Sequence, residues 1–190
     1  MKKAVFLDRD GVLNELIYNE KNSEYEPPHR TEDIKFFDNV AESLKQLKDG
    51  GFELFIISNQ PDYAKGKTSL ENLQKVRNRF MELLNEREKI ITEDFYCFHH
   101  PQGTVKEYSF DCECRKPKTL FIDKAAGKYD LDREKSWMTG DRETDIKCGS
   151  NASLNTILIK NKYNDYTDSV KADFTAGNLS EAVKIILNKK

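Results

Sequence analysis

The sequence predicts an α/β fold, a Rossmann-like, doubly wound parallel sheet. Three observations carry this. Apolar runs of strand length alternate with amphipathic stretches of helix length along the chain. The first two runs, residues 4–7 and 52–57, flank one helix-length segment, the spacing of a right-handed parallel crossover. Three runs end in polar stretches: Asp8-Arg9-Asp10-Gly11, Ser58-Asn59-Gln60 and Gly140-Asp141. Parallel sheets bind ligands at the carboxyl ends of their strands.

Taken in order, residues 4–7 read as a buried strand that stops at Asp8. Residues 15–33 are polar and irregular and read as a loop near the site. Asp38 is placed to N-cap a helix through Lys48, with Val40, Leu44 and Leu47 on one face and Gly50-Gly51 ending it. A strand over 52–57 closes in Ser58-Asn59-Gln60-Pro61. Thr68 and Glu71 have capping-box spacing for a helix to Glu86. Residues 95–98 are a third strand, and an insertion over 99–114 interrupts the alternation. Residues 120–129 form a helix, 136–139 a strand, 143–150 a short helix and 156–159 a strand. Residues 172–175 form a last short strand, and Ser180 caps a helix carrying Ala182, Val183, Ile186 and Leu187.

The 190 residues suit a single domain over 1–190, without a large cap domain. Lys+Arg 31 against Asp+Glu 33 leaves a net charge of -2, with no basic bias toward nucleic acid or anionic membrane. No apolar stretch spans a bilayer, and Asp8 cuts the amino-terminal apolar run after four residues, which argues against a signal peptide. The expectation is a cytoplasmic monomer with reduced thiols, whose four cysteines are metal ligands or spectators.

Asp8 and Asp10, two apart at a strand end, leave on the same side. Two close carboxylates repel unless a cation lies between them. A divalent metal relieves that conflict, leaving one carboxylate to attack phosphorus and the other to handle the proton. Ser58, Asn59, Lys116 and Asp141 add a hydroxyl, an amide, an ammonium and a further metal ligand.

These residues resemble the haloacid dehalogenase-like phosphohydrolases, with Asp8-Arg9-Asp10 at the first strand, Ser58 at the second, Lys116 before the fourth and Gly140-Asp141-Arg142-Glu143-Thr144-Asp145 after it. Cys97-Phe98-His99-His100-Pro101 and Cys112-Glu113-Cys114-Arg115-Lys116-Pro117 are similar to the heptose-bisphosphate and histidinol phosphatase branch. Three thiolates and an imidazole, from Cys97, His99, Cys112 and Cys114, are the ligand set of a closed, structural Zn2+ site that staples the insertion. His100 is the weaker histidine candidate, and Cys148 stands apart.

The resemblance implies a Mg2+-dependent phosphatase acting on a small sugar phosphate, heptose 1,7-bisphosphate at C7, through an aspartyl-phosphate. Asp8 would be the nucleophile and Asp10 the acid and base. Mg2+ would sit on Asp8, Asp141 and the Asp10 main-chain carbonyl. Ser58, Asn59 and Lys116 would hold phosphoryl oxygens, and Arg115 and Lys65 the rest of the substrate. Asp145 would orient Lys116 or a metal-bound water. Histidinol phosphate or another phospho-metabolite, and transfer to a sugar hydroxyl instead of water, are the alternatives. A non-enzymatic zinc-loop binding protein would not need Asp8, Asp10 and Lys116 together. Pro61-Asp62-Tyr63-Ala64-Lys65-Gly66, Glu26-Pro27-Pro28-His29-Arg30-Thr31 and Asn151-Ala152-Ser153-Leu154 depart from the family pattern, the first of them on a surface expected to touch substrate.

Overall fold

Alternate residues of the first strand, β1 (Lys3–Leu7), enter two different apolar clusters: Val5 and Leu7 join one, Ala4 and Phe6 the other. A strand buried on both faces belongs in the middle of a sheet with helices on each side. The computed structural model, which describes residues 1–86, 88–164 and 171–189, has that arrangement. The other sheet strands are β4 (Phe52–Asn59), β5 (Glu93–Cys97), β6 (Trp137–Gly140), β7 (Asn155–Ile159) and β8 (Phe174–Ala176). They run parallel in the order β5-β4-β1-β6-β7-β8. The chain moves outward from β1 in one direction through β4 and β5, then in the other through β6, β7 and β8. The change of direction opens a crevice at the carboxyl ends of β1, β4 and β6.

Helices α1 (Val40–Asp49), α2 (Leu70–Leu84) and α5 (Leu179–Asn188) cover one face, through Leu44, Leu47, Phe80, Val183 and Ile186. Helices α3 (Leu120–Tyr129) and α4 (Glu143–Asn151) cover the other, through Ile122, Ala125 and Cys148. Among the described residues, no helix is long and apolar enough to cross a membrane.

The expected α/β class and element order are present, with local differences. The 15–33 stretch is not a plain loop: β2 (Ile17–Asn19) and β3 (Glu24–Glu26) pair as an antiparallel hairpin, with Tyr18 and Tyr25 in edge contact at 5.3 Å. Asn39 in the left-handed region (φ 61), not Asp38, precedes α1 and makes no side-chain cap bond. Ser69, not Thr68, caps α2 by accepting from the Asn72 N–H. The Thr68 hydroxyl accepts from the Asn72 side chain instead. Asn178, not Ser180, caps α5. In each of the last two pairs, the residue whose backbone is extended at the helix entrance takes the cap.

Candidate active site

Asp8 is the first residue beyond β1, and its N–H still bonds to the Thr139 carbonyl of the neighbouring strand at 2.9 Å. That bond fixes where its carboxylate leaves the sheet. Lys116 reaches it from the end of the insertion: its Nζ lies 2.8 Å from Asp8 Oδ1, 2.7 Å from Asp145 Oδ1 and 2.7 Å from the Ile57 carbonyl. Burial alone would lower the lysine, but Asp145 and Asp8 hold it above the ordinary ammonium range. The pair Asn59 and Lys116 closes main chain on side chain: the Asn59 amide donates to the Lys116 carbonyl, and its Oδ1 accepts the Lys116 N–H, each at 3.1 Å. Asn59 therefore spends its amide on positioning Lys116.

The Asp10 side chain does not join Asp8. It accepts from Arg9 Nη2 at 2.9 Å, Asn14 Nδ2 at 3.0 Å and Gln60 Nε2 at 2.5 Å. Burial would raise this carboxyl, but the Arg9 guanidinium and these donors hold it below the ordinary range. Arg9 is fully buried and lies over the rings of Phe80 and Tyr96. Gln60 also donates to Ser58 Oγ at 2.9 Å, linking it to Asp10.

Three other carboxylates converge, those of Asp8, Asp141 and Asp145, each with an oxygen within 4.8 Å of the others. The sequence expectation placed the Asp8 and Asp141 carboxylates and the Asp10 main-chain carbonyl in the magnesium set. The side chain that meets Asp8 and Asp141 is that of Asp145, and Asp10 can offer only its main-chain carbonyl. The reason is local: Arg9, Asn14 and Gln60 occupy the Asp10 carboxylate. Asp141 is buried, and its Oδ2 accepts from Asn161 and Asn164 at 2.9 and 2.7 Å. Its Oδ1 has no hydrogen-bond partner among the described residues. Burial, with Asp145 adding and Asn161 opposing, pushes the Asp141 carboxyl up to about 6. Burial also pushes Asp8 up to about 7, against Lys116 and with Asp145 and Asp141 adding. Acids crowded this way are short of positive charge.

Asp8, Asp10, Ser58, Asn59, Lys65, Arg115, Lys116, Asp141 and Asp145 all line one cleft of about 740 Å³. Arg142, Lys67, Tyr25, Tyr163 and Asn164 line it too and were not singled out from the sequence. Asn161 and Asn164 follow β7 in a polar stretch that no motif marks.

Apart from the residues that line the cleft, Cys97, His99, Cys112 and Cys114 meet. Their sulfurs are 3.3–3.5 Å apart, and His99 Nδ1 is 3.4 Å from Cys114 and 3.8 Å from Cys97. Those separations are too long for disulfides, whose S–S bond is about 2.05 Å. They suit one ion with sulfur bonds of about 2.3 Å, whose tetrahedral corners lie about 3.8 Å apart. Hydrogen bonding from Cys97 lowers Cys114 to about 5, against its burial and with Cys112 and His99 adding. Cys97, bonded to Cys114 and desolvated, is raised. The cluster is compatible with a structural zinc site, and His100 is not part of it.

The whole chain has relatives. A D-glycero-alpha-D-manno-heptose-1,7-bisphosphate 7-phosphatase from Photorhabdus laumondii is 32% identical over 184 residues, covering 97% of this chain and 96% of that protein. The chain belongs to the haloacid dehalogenase-like phosphatases. The HAD-hydrolase-like family model matches residues 113–182. A second phosphatase of this family, the D-glycero-beta-D-manno-heptose-1,7-bisphosphate 7-phosphatase of Pasteurella multocida, is 32% identical over 192 residues and covers both chains fully. The D,D-heptose 1,7-bisphosphate phosphatase of B. bronchiseptica, solved with magnesium and phosphate, has the same fold: TM-score 0.76 at 18% identity, over 99% of each chain.

In this haloacid dehalogenase-like phosphatase, the unpartnered Asp141 oxygen and the raised Asp8 and Asp141 fit a hard divalent cation such as magnesium. Gly11 (φ +85) guards that place, because a Cβ there would stand 2.2 Å from Asp141 Oδ2. Gly11→Ala is expected to displace Asp141 and to raise the magnesium needed for half-maximal activity by about 10- to 100-fold. A magnesium titration of initial rates checks this, and an unchanged midpoint would refute it.

Proposed function

We propose that the chain hydrolyses D-glycero-D-manno-heptose 1,7-bisphosphate at C7. The observation that carries the chemistry is the meeting of Asp8, Lys116, Ser58, Asp10 and Asp141 in one cleft. The substrate reading rests on the full-length relatives at 32% identity.

Asp8 Oδ attacks phosphorus as the bond to the C7 oxygen breaks, leaving an aspartyl-phosphate and an alcohol. Asp10 gives its proton to that oxygen and then takes one from the water that attacks phosphorus. The second step releases inorganic phosphate and restores Asp8. The donors around Asp10 keep it ionised, which suits the second step. Before the first, it must take up a proton and loosen one of these contacts. Ser58 Oγ and Lys116 Nζ meet the phosphoryl oxygens, with Asp145 and Asn59 holding the lysine in place. Asp8, Asp141 and the Asp10 carbonyl would hold magnesium, which when bound offsets the crowded negative charge. Cys97, His99, Cys112 and Cys114 would hold zinc and keep Arg115 at the cleft.

Arg115, whose Nη1 donates to the His99 carbonyl at 3.3 Å, and Lys65 are the cations set to meet the distal phosphate. Remote binding of that kind positions the reacting group. The test is kcat/KM across both anomers of the heptose bisphosphate, the heptose monophosphate, histidinol phosphate and other sugar phosphates. The bisphosphate is expected to be best. Arg115→Ala is expected to cost it about tenfold or more in kcat/KM, and the monophosphate less. A better substrate elsewhere in the panel, or equal losses on bisphosphate and monophosphate, would overturn the heptose reading and leave the phosphatase standing.

A further inference from the structure

Two of the segments that depart from the family pattern, 26–31 and 61–66, lie far apart in sequence and meet in the fold. His29 Nε2 is 2.7 Å from Asp62 Oδ2. Asp62 is buried, and the His29 side chain is about three-quarters covered. The bond to Asp62 raises His29 above the ordinary imidazole range, against its partial burial, with Glu26 adding and Lys67 opposing. Two further ties run beside it. Lys67 pairs with Glu26, and the Asn72 side chain donates to the His29 carbonyl. The hairpin exit is thus bound to both ends of the loop that carries Lys65.

That loop is closed on itself. The N–H groups of Lys65, Gly66 and Lys67 bond to the carbonyls of Pro61, Tyr63 and Asp62. Its other side leans on the cysteine-rich insertion. The N–H groups of Thr104 and Val105 both donate to the Ala64 carbonyl, at 2.7 and 3.0 Å. The approach requires glycine at 103, where a Cβ would stand 2.7 Å from the Ala64 oxygen. Tyr63 meets Tyr108 edge-on at 4.8 Å, and Tyr108 stacks on His99. The loop is therefore wedged between the hairpin exit and the cysteine cluster, and Pro61, Asp62, Lys65 and Lys67 face the cleft from it.

We propose that His29 and Asp62 are a positioning pair for substrate specificity. They clamp the 61–67 loop so that Lys65 stands ready for the part of the substrate remote from the reacting phosphate. Neither residue has a part in the phosphoryl chemistry. The inference rests on the phosphatase reading and adds to it the element that sets how rigidly the distal group is met.

The test compares wild type, His29→Ala, Asp62→Ala, the double variant and His29→Gln, which keeps an N–H donor near the place of Nε2. Two quantities are read: amide hydrogen exchange over 61–67, and kinetics on heptose bisphosphate and on p-nitrophenyl phosphate, which has no distal anion. Each Ala variant is expected to speed exchange in the loop and to raise KM for the bisphosphate about tenfold. On p-nitrophenyl phosphate, kcat/KM should stay within about twofold of wild type. The double variant should be no worse than the worse single, since both remove one contact. His29→Gln should recover most of the loss. Equal losses on both substrates, additive losses, or unchanged exchange would overturn the clamp. Should wild type hydrolyse p-nitrophenyl phosphate but not the bisphosphate, the substrate reading fails. The clamp is then judged on loop exchange and on the best doubly charged ester found.

Discussion

Asp8→Asn is expected to stop phosphate release, by about 10⁴-fold or more, while the protein stays folded. The amide keeps the shape of the carboxylate but has no charge with which to attack. Lys116 loses one partner and keeps two, Asp145 and the Ile57 carbonyl, each at 2.7 Å, so no buried cation is stranded. The variant carries a second expectation. Burial pushes native Asp8 up to about 7 from an ordinary 3.8. Between those values the native state binds a proton that the unfolded chain has given up, so stability falls as pH rises through that window. The amide that replaces the carboxyl cannot titrate. Without magnesium, the variant should therefore lose less stability than wild type between pH 5 and pH 8; Asp141 keeps the slope from vanishing. Phosphate release and urea unfolding at the two pH values check both parts. Activity within a few-fold of wild type would remove Asp8 as nucleophile, and identical pH slopes would remove the charge argument.

The parts of the site that could be read in the sequence are those whose chemistry allows few residue types. Asp8, Lys116 and Asp141 sit at strand ends or just after the insertion, and the fold brings such points together whatever lies between. Cys97, His99, Cys112 and Cys114 were legible because a closed soft-metal site needs four such ligands. The partners of the Asp10 carboxylate were not legible, because spacing alone does not say which neighbour takes it. Arg9 and Gln60, both buried, took it. Asn161 and Asn164 hold Asp141 from a loop 20 and 23 residues downstream, where an amide has no signature. The β2–β3 hairpin escaped because three-residue strands are too short to show alternation. The helix caps were missed by one or two positions because Thr68 and Ser69, or Asn178 and Ser180, offer equivalent oxygens. Only backbone geometry chooses between them.

Freshly purified protein with reduced thiols is expected to hold about one zinc per chain, and Cys112→Ser to lose it. Cys112 is buried and touches the sulfurs of both Cys97 and Cys114, so its removal opens the ligand set at its centre. An ion bridging Cys97 and Cys112 closes a loop 15 residues long. By the entropy of closing such a loop, the bridge stabilises the fold by about 3 kcal/mol. The variant should lose about that much in urea unfolding. Function should suffer as well, because Arg115 and Lys116 directly follow Cys114 and because Tyr108, stacked on His99, supports the Lys65 loop. Lys116 is also held by Asp8 and Asp145, so the larger disturbance falls on Arg115 and Lys65. KM for the bisphosphate should therefore rise more than kcat falls. Cys148→Ser is the control: Cys148 Sγ lies outside the cluster and donates to the Lys118 carbonyl at 3.2 Å, a bond that a serine hydroxyl can keep. Its zinc content should match wild type. Wild-type protein free of zinc, or a Cys112→Ser protein as stable as wild type, would leave the four residues as packed thiols and an imidazole with no structural ion between them.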